Sequence, residues 1–210
     1  MKGLFITMEG PDGSGKTTQI IELKDYFERQ GYEVVVTREP GGTRISEEIR
    51  NIILNKENIE MNSVTEALLY AASRAQHVAE VIKPALDGGK IVLCDRFVDS
   101  SVVYQGIGRE LGIEMVEGLN RAAVMGYMPD ITFLFKIPPS IGIERKGTQG
   151  EQDRLEREEL DFHERVYQGY MMLEKRYPDR IKGINAQNSV EYIHELIIEY
   201  IRELIKNKGW

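Results

Sequence analysis

The run Gly10-Pro11-Asp12-Gly13-Ser14-Gly15-Lys16-Thr17, with Thr18 next, matches the pattern G-x-x-x-x-G-K-[ST]. Glycines let such a loop adopt positive φ and turn its backbone N–H groups inward, and a helix opening near Gly15 aims its positive dipole end at the same point. The spacing predicts a nucleotide phosphate site, with Lys16 reaching the β- and γ-phosphates and Thr17 reaching Mg²⁺. The motif alone names no reaction, since GTPases, motors and kinases all share it.

Two further segments carry groups suited to phosphate. Asp95-Arg96-Phe97 directly follows the apolar run Ile91 to Cys94, so Asp95 falls at a strand's carboxyl end, where open α/β sheets place ligands. Its carboxylate can hold Mg²⁺ or a water on it. Arg96 supplies a planar fork suited to bidentate phosphate contact, or else a plain surface ion pair. Thr37-Arg38-Glu39-Pro40-Gly41-Gly42-Thr43 follows the run Val34 to Thr37 and emerges at the same edge, although its residues alone also read as a Pro-Gly turn.

These segments need a sheet to bring them together. Leu4 to Met8, Val34 to Thr37, Ile91 to Cys94 and Ile131 to Phe135 are short, nearly continuous apolar runs, the pattern of parallel strands covered on both faces. Arg180 to Ala186 is a fifth, weaker strand pattern. Between the runs, Ile20, Leu23 and Phe27 share a helix face, and Ser63 to Leu86 is long enough for several turns. Phe162, Val166, Tyr170 and Leu173 recur at helical spacing, as do Ile193, Ile197, Ile201 and Leu204. Strands alternating with helices mean an α/β architecture, and no repeat or linker divides residues 1–210, so one domain is expected. Gly147 to Asp153 is the most loop-like interior stretch, and the tail Lys206 to Trp210 is expected to fray.

Composition excludes several classes. The chain has 41% hydrophobic and 29% charged residues, without the ~20-residue apolar stretch that crosses a bilayer. Met1 to Met8 lacks the marks of a signal peptide. A formal net charge of −7 opposes nonspecific nucleic-acid binding. The single cysteine, Cys94, reads as a buried thiol in a reducing cytoplasm. His77, His163 and His194 show no ligand spacing, so no metal is expected beyond Mg²⁺ arriving with ATP.

The phosphate loop, TREPGG, the YAASR segment, DRFVDSSVVYQG and GEQDRLE together resemble bacterial thymidylate kinase and span residues 10 to 156. The resemblance implies an α/β, P-loop nucleoside-monophosphate-kinase-like fold in three layers. A central parallel five-stranded sheet would have helices on both faces and a mobile lid over about residues 143–156. It also implies transfer of the γ-phosphoryl group of ATP to dTMP, and a homodimer, for which the apolar residues of Ser63 to Leu86 would supply a surface.

By that resemblance Arg38, Arg50 and Arg96 would surround the acceptor phosphate beside Pro40 and Ser100, while Asp12 or Glu39 would contact the sugar. Tyr70 and Arg74 lie four apart on a predicted helix and could grip a planar base by stacking and by a hydrogen bond to its O4. Without the resemblance, Tyr70 would be read as core. Ser101 and Gln105 would face thymine N3 and its edge, with Tyr104 against the sugar.

The chain departs from the family pattern in three places. Phe97 stands where many relatives have Tyr or His, residues 147–149 read GTQ where some carry arginines, and Gly13 replaces an arginine that some place in the phosphate loop. A cation for the transition state must then come from Arg145, Lys146 or Arg154, which bracket the loop Gly147 to Asp153. The acceptor is a phosphate monoester, largely dianionic at pH 7 with a second pKa of ~6, so no general base is needed and the task is charge neutralisation and alignment. The rival readings are a kinase for another monophosphate and a GTPase switch, the latter lacking an N-K-x-D segment.

Overall fold

The structure is a computed structural model that describes residues 3–146 and 153–208, with the side chains of residues 146, 207 and 208 outside that description. Five parallel strands form one sheet: β1 (Leu4–Glu9), β2 (Val34–Arg38), β3 (Ile91–Asp95), β4 (Ile131–Lys136) and β5 (Ile181–Asn185). Their spatial order is β2-β3-β1-β4-β5, all pairs parallel. The weaker fifth pattern is a true strand, paired to β4 from Thr132 opposite Ile181 to Lys136 opposite Asn185.

The near-continuous apolar runs of β1, β3 and β4 follow from burial on both faces, whereas β2, at the sheet edge, is only partly covered and leaves Val36 exposed. Leu4, Ile6 and Met8 of β1 pack with Ile20, Leu23 and Phe27 of α1 (Lys16–Arg29) and with Ile193, Ile197 and Ile201 of α9 (Val190–Lys208). The intervening Phe5 points the other way and joins Val92, Cys94, Val78 and Ile82. Leu134 and Ile181 join Phe162, Val166, Tyr170 and Leu173 of α8 (Leu160–Arg176).

The remaining helices are α2 (Arg44–Leu54), α3 (Ser63–His77), α4 (Lys83–Asp87), α5 (Val98–Ser101), α6 (Ile113–Ala123) and α7 (Pro139–Lys146). The expected long helix over Ser63 to Leu86 is α3 and α4 joined by π-helical backbone at Val78–Ile82. A second π-helical segment, Val102–Gly108, carries Tyr104 and Gln105 toward the sheet's carboxyl edge. Along Ser63 to Leu86, Ala67, Tyr70, Ala71, Val78, Ile82 and Leu86 are taken into the core, and Val64 and Leu68 stay exposed. Lys146's side chain and residues 147–152, the centre of the expected lid, lie outside the described residues.

Candidate active site

β1 and β3 end side by side, with Met8 opposite Asp95, so the phosphate loop and the Asp95-Arg96 turn rise from neighbouring strands. β2 flanks β3 with Arg38 opposite Asp95, which brings the third segment to the same edge. Together they open on a cleft of about 560 Å³ lined by Asp12 to Thr18, Arg38 to Pro40, Arg50, Tyr70, Arg74, Asp95, Arg96, Ser100, Tyr104 and Gln105.

In the phosphate loop, Gly10 has φ 132°, and a Cβ there would stand 2.5 Å from the carbonyl oxygen of Phe135, so the close pass against β4 requires glycine. Gly15 opens α1 at φ 92°. Lys16 is buried, donating to the carbonyls of Gly10 at 3.1 Å and Pro11 at 2.9 Å. Burial, then Arg96, lower its pKa to about 8 against the pull of Asp95, Asp12 and Glu9. Gly10 and Pro11 thus serve through their carbonyls and are not among the cleft-lining residues.

Arg96 is a non-glycine residue in the left-handed region, φ 67°, a conformation costing of order 1–3 kcal/mol that surrounding structure must hold. Its N–H bonds the Met8 carbonyl at 2.9 Å, and its guanidinium reaches Asp12 at 2.6 Å, Tyr170 at 3.3 Å and Ser100 at 3.5 Å. Beneath the turn sits fully buried Glu9, which accepts from Phe97 N at 2.8 Å, Ser100 N at 3.3 Å, Ser100 Oγ at 2.5 Å and Tyr170 OH at 2.9 Å. Burial and then Asp99 push its pKa up to about 7, opposed by Arg96 and by the hydrogen bonds. Phe97, at the departure from the family pattern, is wholly buried with its ring 5.2 Å from the Arg74 guanidinium carbon.

Arg38 and Arg50 both donate to the Pro40 carbonyl, at 2.9 and 2.8 Å, and Glu47 balances Arg38 at 3.1 Å. Burial, then the like charge of Arg38, lower the pKa of Arg50. Two converging guanidiniums beside a cleft fit a dianion.

The base-reading expectations change in detail. Arg74 is 1% exposed, and its five N–H donors are all engaged: Nε and Nη2 with Glu39, Nη1 with Ser101 and Asn120, and Nη2 also with the Phe97 carbonyl. No donor remains for a base O4 without exchange, although Arg74 still lines the cleft. Ser101, expected at the base edge, instead accepts at its hydroxyl oxygen from Arg74 Nη1 at 3.0 Å and is absent from the cleft lining. Glu39 has both oxygens engaged, by Arg74 and by His77 Nδ1 at 2.9 Å, so it orients Arg74 where a sugar contact was expected. Tyr70 is buried and also lines the cleft.

The lid expectation is corrected for Arg154. Its Nη2 pairs with Glu66 at 2.5 Å and its Nε donates to the Ile53 carbonyl at 2.9 Å, so it is buried beside α2 and α3, outside the cleft lining that includes Asp153 and Leu155. Burial makes releasing this pair costly. Arg145 donates to the Ala186 carbonyl at 2.8 Å, on a helix whose Gly142 packs against the phosphate loop at the Asp12 carbonyl.

The donor set for a divalent cation is one hydroxyl and one carboxylate. Thr17 Oγ1 lies 3.5 Å from Asp95 Oδ2, and the buried Asp95 Oδ1 has no hydrogen-bond partner among the described residues. Hard oxygen ligands that leave most of a coordination sphere to water and phosphate suit Mg²⁺. Among the described residues no group of three His, Cys, Asp or Glu could hold a metal unaided.

Sequence reasoning missed Glu9, Glu66 and Tyr170. Glu9 ends β1 as Asp95 ends β3, so the criterion that found one applies to the other. Glu66 precedes Tyr70 and Arg74 by four and eight positions, on one helix face.

A thymidylate kinase family model matches residues 8–197. A thymidylate kinase of Clostridium novyi (strain NT) is 49% identical over 96% of this chain and 99% of its own length, and one of Thermoanaerobacter sp. (strain X514) is 50% identical over 98% of this chain and 100% of its own. The crystal structure of thymidylate kinase from Ehrlichia chaffeensis superposes with a TM-score of 0.78 at 34% identity, covering 96% of this chain and 99% of that one. With the phosphate loop, the Asp95-Arg96 turn and the paired Arg38 and Arg50 facing one cleft, the chain belongs to the thymidylate kinase family.

Proposed function

We propose that the protein transfers the γ-phosphoryl group of ATP to dTMP, giving ADP and dTDP. The observation that carries this reading is the meeting of the Lys16 phosphate loop with Arg38, Arg50 and Arg96 in one cleft. An oxygen of the dTMP phosphate attacks the γ-phosphorus while the bond to the β,γ-bridging oxygen breaks, and the leaving electrons go to ADP. Because the acceptor oxygen is already anionic, the protein's work is alignment and charge neutralisation.

Lys16 moves from the loop carbonyls to the ATP phosphates, and Arg96 spans donor and acceptor phosphates. Arg38 and Arg50 hold the acceptor dianion, Tyr70 packs on the base, and Asp12, Ser100 and Tyr104 border the phosphate and sugar. Mg²⁺ bound with ATP supplies positive charge at the phosphate oxygens, and Thr17 and Asp95 would hold it or its waters. To Arg145, three residues beyond Gly142 on α7, we assign the lid cation at the transferring phosphate, a role that requires it to release the Ala186 carbonyl. The reading includes one domain, a cytoplasmic setting and a homodimer. Among the described residues no helix is long and apolar enough to cross a membrane, and sedimentation at micromolar concentration tests the dimer.

The test of substrate class is a coupled assay of ADP release with dTMP, dUMP, dCMP, AMP and GMP as acceptors, using ATP or GTP as donor. The reading expects dTMP with ATP to give the highest kcat/KM. Preference for a purine monophosphate would contradict it.

A further inference from the structure

Below the cleft, outside the groups already given a role, lies a buried carboxylate with three partners. Glu66, on α3, is 0% exposed. Its Oε1 accepts from Gln105 Nε2 at 2.9 Å, its Oε2 accepts from Arg154 Nη2 at 2.5 Å, and Arg109 bonds both oxygens at 3.2–3.3 Å. Burial opposes its charge, but the hydrogen bond from Gln105 and the two arginines hold its pKa below the ordinary value. It is therefore an ionised, acceptor-only group.

That property decides the amide orientation of Gln105. A primary amide has one donor end and one acceptor end, and a carboxylate accepts only the donor end. Gln105 is 1% exposed, lines the cleft, and its Oε1 is buried with no hydrogen-bond partner among the described residues. An amide oxygen left bare in a site costs stability until a ligand donor meets it.

We propose that Glu66 is a specificity-determining positioning residue, which fixes Gln105 with its oxygen toward the acceptor base and so selects a pyrimidine bearing an N3–H over one bearing an N3 lone pair. Thymine and uracil carry that N–H, and cytosine carries the lone pair. Arg109 and Arg154 hold Glu66 ionised and in place, so the amide cannot turn over. The inference rests on the dTMP kinase reading above and adds to it the group that sets the reader's polarity.

The test measures kcat/KM for dTMP, dUMP and dCMP in the full-length wild type, in Glu66→Gln and in Glu66→Asp. Glu66→Gln can accept either end of the Gln105 amide, and Glu66→Asp keeps a counter-charge for the two arginines while drawing the carboxylate back by one methylene. In either variant that folds, the dTMP/dCMP ratio should fall about 10-fold or more, the penalty expected when a buried acceptor loses its enforced direction. The change should appear in the KM for the monophosphate, with the KM for ATP and the dTMP/dUMP ratio unchanged. A merely structural role would lower all three monophosphates together, and an unchanged dTMP/dCMP ratio in Glu66→Asp overturns the inference. Wild type that fails to phosphorylate dTMP overturns the functional reading instead, so the two failures are distinguishable.

Discussion

Arg96 Nη2 lies 2.6 Å from Asp12 Oδ1, an ion pair joining the turn after β3 to the phosphate loop. Asp12 is 45% exposed on its side chain and Arg96 16%, so a phosphate entering the cleft can reach the guanidinium without dismantling the core. The pair keeps a strained residue aimed while its other donors stay near Ser100 and Tyr170.

Arg96→Lys should therefore lower kcat by about 100-fold, because a single ammonium cannot keep Asp12 and bridge two phosphates at once. The KM for ATP should change less. Steady-state kinetics with both substrates varied check this, and near wild-type turnover would remove Arg96 from the phosphate clamp.

Burial and then Arg96 lower the Lys16 pKa to about 8, below the ordinary lysine range, so its neutral form is populated as pH rises through that value. Bound phosphates favour the charged form. ATP binding at pH 8 should then take up about half a proton, and ATP affinity should fall above pH 8. Calorimetry in two buffers of different ionisation enthalpy reads the uptake directly, and Lys16→Met should abolish it. Equal heats in both buffers for the wild type would refute the assignment.

Glu9 has a folded pKa of about 7 against an ordinary 4.5. Between those values the native protein keeps a proton that the unfolded chain has released, so stability falls as pH rises from about 4.5 through 7. The groups facing it, Asp99, Arg96, Ser100 and Tyr170, set the size of that slope. Glu9→Gln should lose this component, so that in urea denaturation the stability of the wild type relative to Glu9→Gln falls steadily as pH rises from about 4.5 to 7. Parallel pH profiles would show that Glu9 does not titrate there.

Arg154→Ala should act on stability more than on chemistry. It leaves Glu66 with one arginine fewer in a buried site, a loss of about 1–3 kcal/mol, while kcat stays within about threefold. Thermal melts and turnover measured together decide it. A large fall in kcat at unchanged stability would restore Arg154 to the transferring phosphate.

Much of the fold was legible because burial on both faces writes parallel strands as apolar runs, and even Ile181–Asn185 carried enough of that pattern. Lys16, Asp95 and Arg96 were legible as well, since each sits in a spaced motif or at a strand's end, whereas only the family resemblance puts Arg38 and Arg50 at the acceptor phosphate. The polarity of the base pocket was not legible. Arg74, Ser101, Glu39 and Gln105 have residue types suited to a base, but hydrogen-bond partners distant in sequence decide which atoms they present. Arg74 meets Asn120, and Gln105 meets Glu66 across 39 positions. The same holds for Arg154, whose partner lies 88 residues away, so proximity to the lid misplaced it.

Transfer between ATP and dTMP in this cleft is tested most directly by product identity. Incubating the protein with ATP, Mg²⁺ and dTMP and separating nucleotides by anion exchange should show ADP and dTDP appearing in equal amounts, with neither formed when dTMP is omitted. ADP without dTDP, or no consumption of dTMP, would contradict the account.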